Sequence, residues 1–323
     1  MTEISRPAGE LRNFKLTVEY EGSAYHGWQS QRDRPSVQST LEQAIRKVVQ
    51  HQVVLYGSGR TDRGVHALGQ TASFRTTMDI AAPKLLLAIN TYLPEDIRVR
   101  EVEEVDLAFH ARYSAVGKQY RYVILRMRRP LGGRADGAAG GTAARPPETA
   151  PAPRSPSVLV RRFSTEVPYE LDVEAMRRGA ALLPGMRDFR AFESYSKRRP
   201  PRPGDSPRST VRTVLGVMVR EIGPFVLIDA FGRGFLYSMV RTIAGTLIEI
   251  GKGARAPERL QEILDSRDRR RAGFTAPAEG LLLVAVYYEE KALAAAMREL
   301  RGEPAASHAS MSRFEEGLLK ILS

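Results

Sequence analysis

From Phe14 to Tyr20 the apolar residues Phe14, Leu16, Val18 and Tyr20 alternate with Lys15, Thr17 and Glu19. This is the two-residue period of a strand with one face in a core. The period then lengthens. After Pro35, Ser36 is placed to cap a helix whose Val37, Leu41, Ala44, Ile45, Val48 and Val49 fall on one side at helical spacing. The apolar run Val53 to Tyr56 predicts a second strand and residues 69–75 a third. Pro83 opens a second helix through Leu87 and Ile89, and Ile97, Val99 and Val102 mark a closing strand. The order is β-α-β-β-α-β, the split βαβ pattern of ferredoxin-like folds.

The same order returns more loosely downstream. Strands are predicted at 118–127, 211–220, 224–231 and 281–288. Helices are predicted at 172–183, with Asp172 as cap, and at 234–250, where Phe235, Met239, Ile243 and Leu247 share a face. The predicted fold class is α+β: two similar halves, 1–112 and 113–290, whose sheets join into one antiparallel sheet over a continuous core, with a cleft between them. Residues 291–323 (KALAAAMREL, then RFEEGLLKIL) predict a helical extension. Two segments interrupt this plan. Of the 25 residues from Gly132 to Pro156, 17 are Ala, Gly or Pro, which predicts a flexible surface insertion with nothing to bury. Residues 196–212 carry Lys197, Arg198, Arg199, Arg202, Arg208 and Arg212 against one acid, Asp205; a solvated loop and a phosphate-gripping arm both fit.

Charge sharpens the second of those readings. The 323-residue chain has 49 Lys+Arg against 37 Asp+Glu, a net charge of +12, and a polyanionic partner follows as the first expectation. Cysteine is absent, which removes disulfides, thiolate nucleophiles, thiolate zinc sites and iron-sulfur clusters. His26, His51, His66, His110 and His308 are scattered without paired metal-ligand spacing, so no metal is expected. No apolar run reaches transmembrane length and the first residues lack a signal-peptide core. The expectation is a cytoplasmic protein.

The candidate chemistry lies in Gly57–Ala67, GSGRTDRGVHA, which sets Asp62 between Arg60 and Arg63 among glycines. A phosphate-cradling loop would need a Gly-Lys-Ser/Thr or a GxGxxG opening a helix, and has neither. Two readings stay open. In one, Gly57, Gly59 and Gly64 permit positive φ, and Asp62 and Thr61 satisfy loop amides. In the other, Asp62 is a nucleophile or base, held ionised by Arg60 and exposed to a substrate.

The loop with its continuation, GSGRTDRGVHALGQ, resembles the signature of the tRNA pseudouridine synthase A family. Further blocks follow in family order: YEGSAYHGWQSQ (Tyr20 to Gln31), SVQSTLEQAI (Ser36 to Ile45), INTYLPEDIRV (Ile89 to Val99), FHARYSA (Phe109 to Ala115), KQYRY (Lys118 to Tyr122), FLYSMVRTIAG (Phe235 to Gly245) and TAPAEGLLLVAV (Thr275 to Val286). The resemblance runs from about Phe14 to Tyr288 and implies two similar α+β halves around a basic cleft. It departs from the family at Arg63, where bacterial members commonly have Ala, at the Ala/Gly/Pro insertion, at the long basic segment and beyond Glu290.

The resemblance implies an isomerase that turns uridine into pseudouridine in tRNA, at positions 38, 39 and/or 40 of the anticodon stem and loop, without metal, redox cofactor or nucleotide. It makes Asp62 the catalytic carboxylate, attacking either the ribose or the uracil ring. It makes Arg241, which lies in an apolar helix, the cation paired with Asp62. It places Arg60 in the gap left by the flipped uridine and Tyr120 against the target base, with a part in handling the C5 proton. Tyr122 is read as structural and His66 as a loop-ordering residue. A homodimer holding one tRNA across both subunits is implied as well. The competing class is an RNA-binding module, but the RGFGFV-like run of paired aromatics that marks such modules is missing. A methyltransferase would need a glycine-rich cofactor motif that the chain lacks.

Overall fold

The structure is a computed structural model and describes residues 9–126, 160–194, 209–301 and 317. In the first half, strand β1 (Arg12–Tyr20) buries Phe14, Leu16, Val18 and Tyr20 and leaves Lys15, Thr17 and Glu19 partly exposed, as its alternation requires. Helix α1 (Val37–Val49) is capped by Ser36, whose Oγ accepts from Ser39 N at 3.2 Å, and buries Val37, Leu41, Ala44, Ile45 and Val49. The second strand is much shorter than Val53 to Tyr56: β2 is Tyr56–Gly57 alone. The side chains of α1 explain this. Leu55 N donates to Glu42 Oε1 at 3.4 Å and Leu55 O accepts from Gln38 Nε2 at 2.9 Å, so these backbone groups are satisfied without a ladder. Strand β3 (His66–Thr76) begins three residues ahead of the predicted start. Helix α2 (Ala82–Thr91) buries Leu85 and Ile89 while Leu87 faces solvent, and β4 (Ile97–Val105) closes the unit.

The second half contains β5 (Gly117–Arg126), α3 (Val173–Ala180) under its Asp172 cap, β8 (Val211–Ile222), β9 (Phe225–Gly232), α4 (Met239–Gly251) and β10 (Leu281–Tyr287). Helix α6 (Glu290–Arg301) follows. Three further elements were not predicted: the short strands β6 (Thr165–Val167) and β7 (Gly185–Asp188), and helix α5 (Arg259–Ser266). The Ala/Gly/Pro insertion, the basic segment up to Arg208 and the RFEEGLLKIL stretch apart from Gly317 lie outside the described residues.

One sheet runs β4-β1-β3-β10-β5-β9-β8-β7, with β2 on β3 and β6 on β5. Strands β4-β1-β3-β2 and β10-β5-β9-β8 are two copies of one strand order, so the repeat in the sequence is a repeat in space. The pairs are antiparallel except β5–β6 and the join itself, where His66 and Ala67 of β3 pair in parallel with Leu282 and Leu283 of β10. This join recruits His66 to Leu68 into β3 and explains its early start. Helices α1 to α5 contribute to one large core on one face of the sheet, and Val123, Leu125, Val160, Phe225, Leu227 and Leu282 form a small second cluster.

Candidate active site

The Gly57–Val65 loop enters the join from β2 and leaves it into β3. Its backbone is held at four points. Ser58 N donates to Thr71 O at 2.7 Å, Gln70 Nε2 to Gly59 O at 3.0 Å, Lys118 Nζ to Ser58 O at 2.6 Å and Trp28 N to Thr61 O at 3.2 Å. Thr61 Oγ1 lies 2.8 Å from the hydroxyl of Tyr20. Of the three loop glycines only Gly64 has positive φ, +78°. Gly57 serves close approach instead, since a Cβ there would stand 2.3 Å from the buried indole Nε1 of Trp28.

Asp62 follows Thr61, with its side chain 16% exposed. Two groups of the second half reach it across the join. Ser238 Oγ donates to Asp62 Oδ2 at 2.8 Å, and Arg241 Nη1 lies 3.4 Å from the same oxygen. Arg241 is itself clamped: its Nε donates to Ala276 O at 2.7 Å and its carbonyl accepts from Ala276 N at 3.1 Å. These contacts explain why α4 starts at Met239 rather than at residue 234. Ser238, the N-cap position, is left-handed (φ 54°, ψ 14°), and its hydroxyl bonds Asp62 instead of capping the helix. Helix N-termini carry partial positive charge, so the backbone of α4 adds to Arg241 in favouring an anion here. Phe235 therefore precedes the helix, and its ring meets that of Tyr120 edge-on, centroids 5.3 Å apart.

Tyr120 is buried on β5. Burial, the Tyr20 hydroxyl and the charge of Asp62 push its phenol above the ordinary tyrosine range, so the hydroxyl stays protonated at neutral pH. Arg60 is exposed and its Nε donates to Gln29 Oε1 at 3.1 Å. Arg63 is exposed. Tyr122 is fully buried, with its hydroxyl 2.6 Å from Thr165 Oγ1 and 3.0 Å from Pro277 O. His66 is buried and accepts from Gly22 N through Nδ1 at 3.1 Å. That bond requires the neutral ring, and burial lowers the pKa in the same sense. Lys118 precedes Tyr120 by two residues in β5; burial, with help from Arg112, pulls its ammonium down to about 8.

The sequence thus pointed to Asp62, Tyr120 and Arg241, which the fold gathers at the join, and missed Ser238 and Lys118. Ser238 was visible only as a polar residue three positions before Arg241, a spacing that puts both on one helix face. Among the described residues, no cluster of three or more His, Asp or Glu is arranged to hold a metal ion, and no helix is long and apolar enough to cross a membrane.

A family model described as tRNA pseudouridine synthase matches residues 16–114 and 180–289. The chain belongs to the tRNA pseudouridine synthase family. Curated relatives agree over nearly their whole length. A protein named tRNA pseudouridine synthase A from Acetivibrio thermocellus is 42% identical over 278 residues, 86% of this chain and 100% of the relative. One of the same name from Thermoanaerobacter sp. strain X514 is 38% identical over the same shares. Clostridium tetani tRNA pseudouridine synthase A 2 is 40% identical over 86% of this chain and 99% of its own. The tRNA pseudouridine synthase family consists of isomerases acting on uridine in tRNA. Each of the two matched segments supplies one strand of the join, and Asp62 lies in the first while Ser238, Arg241 and Ala276 lie in the second.

Proposed function

We propose that this enzyme isomerises uridine to pseudouridine at positions 38, 39 and/or 40 of the tRNA anticodon stem and loop, with Asp62 as the catalytic carboxylate. The observation that carries this reading is the meeting at Asp62 of two groups contributed by the other half, Ser238 and Arg241. A structural loop aspartate would bond its own loop amides; this carboxylate is instead held by a hydroxyl and a guanidinium 176 and 179 positions away. Both fall on Oδ2, and Oδ1 is the oxygen assigned to attack. In the reaction the N1–C1′ bond breaks, a C5–C1′ bond forms, C5 loses its proton and N1 gains one. The product is an isomer of the substrate, so no electrons and no co-reactant enter.

Whether Oδ1 attacks the ribose or the uracil ring, fixed geometry and a nearby cation are what its anion needs. Tyr120 packs on the target base. Its raised pKa favours this role, and donation from its hydroxyl, over abstraction of the C5 proton at neutral pH. Arg60, exposed on the loop, enters the gap left when the uridine leaves its stack, an event costing a few kcal/mol. The synthase works in the cytoplasm, and as a homodimer on one tRNA across both subunits, the latter as the family resemblance implies. Position is tested by incubating tRNA transcripts with uridine at only one of 38, 39 and 40 and mapping pseudouridine chemically. Modification confined to these positions is expected. Modification elsewhere, with all three untouched, would overturn the assignment.

A further inference from the structure

Beside the catalytic loop the surface carries a ladder of rings. Tyr56, the residue before Gly57, lies 4.8 Å from the ring of His110, and His110 lies 4.5 Å from the ring of Tyr113. The Arg112 guanidinium stands 5.7 Å from the Tyr113 centroid. Tyr56 is 46% exposed and Tyr113 77%, while His110 between them is half-buried, so the ladder is open at its ends. The turn that carries it is rigid. His110 N donates to Ser114 Oγ, Ser114 N to His110 O, and Arg112 N to His110 Nδ1, each at 3.0 Å. Ala111 is pinned from β3 and from the residue that follows β10, its N donating to Ser73 Oγ at 3.1 Å and its carbonyl accepting from Tyr288 OH at 2.7 Å.

A ring this large, this exposed and this firmly held is poorly explained by packing, because most of Tyr113 touches nothing. Charge runs from the ladder toward Asp62. The ammonium of Lys118, which feels the charge of Arg112, sits on Ser58 O, and Arg60 follows two residues later. Aromatic faces joined to cations bind unstacked bases without regard to sequence.

Building on the proposed tRNA reaction, we propose that Tyr113, with Arg112 and Tyr56, is a stacking platform for an unpaired nucleotide of the tRNA lying outside the pocket of the target uridine. The base stacks on the open face of Tyr113 while Arg112 reaches its phosphate. The platform grips the substrate through a nucleotide that is not chemically changed, which lets one surface serve different tRNAs.

The test is fluorescence anisotropy of a labelled tRNA transcript with the full chain, titrated at several salt concentrations. Tyr113→Ala is expected to weaken binding about 5- to 150-fold, as loss of one base-aromatic stack does, and to leave the slope of log Kd against log salt unchanged. Tyr113→Phe restores affinity. Arg112→Gln lowers the slope by about 1, the signature of one lost phosphate contact. An unchanged Kd for Tyr113→Ala, or a Phe variant as weak as the Ala one, would overturn the proposal. So would a change in the oligomeric mass of Tyr113→Ala at unchanged tRNA affinity, which would assign the surface to a second copy of this chain. Tritium release from uridine C5 by the wild type separates the two readings: its presence with an unchanged Kd sinks only the platform, and its absence with a weakened Kd sinks only the reaction.

Discussion

Replacing Ser238 separates stability from catalysis at a single atom. The residue is held in a left-handed conformation that costs a non-glycine side chain about 1 kcal/mol, and its hydroxyl bonds Asp62 Oδ2 at 2.8 Å. Hydrogen bonds to charged groups contribute about 1.5–3 kcal/mol. Asp62 keeps Arg241 and is partly open to solvent, so the lower end applies, and about 1.5 kcal/mol corresponds to roughly a tenfold loss of rate. Both Ser238→Ala and Ser238→Gly remove the hydroxyl, but only glycine relieves the backbone. We therefore expect both variants to lose about tenfold in kcat, while the Gly variant exceeds the Ala variant in unfolding free energy by about 1 kcal/mol. Single-turnover tritium release from tRNA labelled at uridine C5 reads the rate, and thermal or denaturant unfolding reads the stability. A Gly variant with wild-type kcat would refute the positioning role; a rate loss that follows the stability loss, larger in the Ala variant than in the Gly one, would mean that Ser238 only supports the fold.

Two other perturbations address the loop. Gly57→Ala places a methyl where Trp28 Nε1 would stand 2.3 Å away. Since Trp28 is buried and cannot retreat without opening the core, this variant should melt lower and lose at least tenfold in kcat; a wild-type profile would show that the loop has slack. Lys118 is pulled by burial from 10.5 to about 8, so between roughly pH 8 and 10.5 the unfolded chain binds the proton that the native state has released. Stability relative to Lys118→Met should then rise with pH across that window, by on the order of 3 kcal/mol. A flat difference in urea unfolding would contradict the buried ammonium.

The elements set by local pattern were readable before the structure. The alternation of β1, the Ser36 cap and apolar face of α1, and the doubled strand order all follow from spacing along the chain. What escaped depends on distant partners. Val53 to Leu55 have strand composition, yet Gln38 and Glu42 occupy the backbone of Leu55. His66 reads as a loop residue until Leu282 pairs with it. The apolar period through Phe235 extends α4 one turn too far, because Ser238 turns its backbone to reach Asp62. The same contact hid Ser238 from the site: a lone serine inside the predicted helix at 234–250 signals no chemistry, and only the fold brings an aspartate to its hydroxyl. Asp62 itself stood out through its glycine loop and the family blocks around it.

The central claim is that Asp62 carries the isomerisation, and it is tested most directly by tritium release from tRNA transcripts labelled at uridine C5, comparing wild type with Asp62→Asn in the presence of a chelator. Release by the wild type and none by Asp62→Asn, with tRNA still bound by both, is the predicted result. Release by Asp62→Asn at the wild-type rate would place the chemistry on another group and contradict the account.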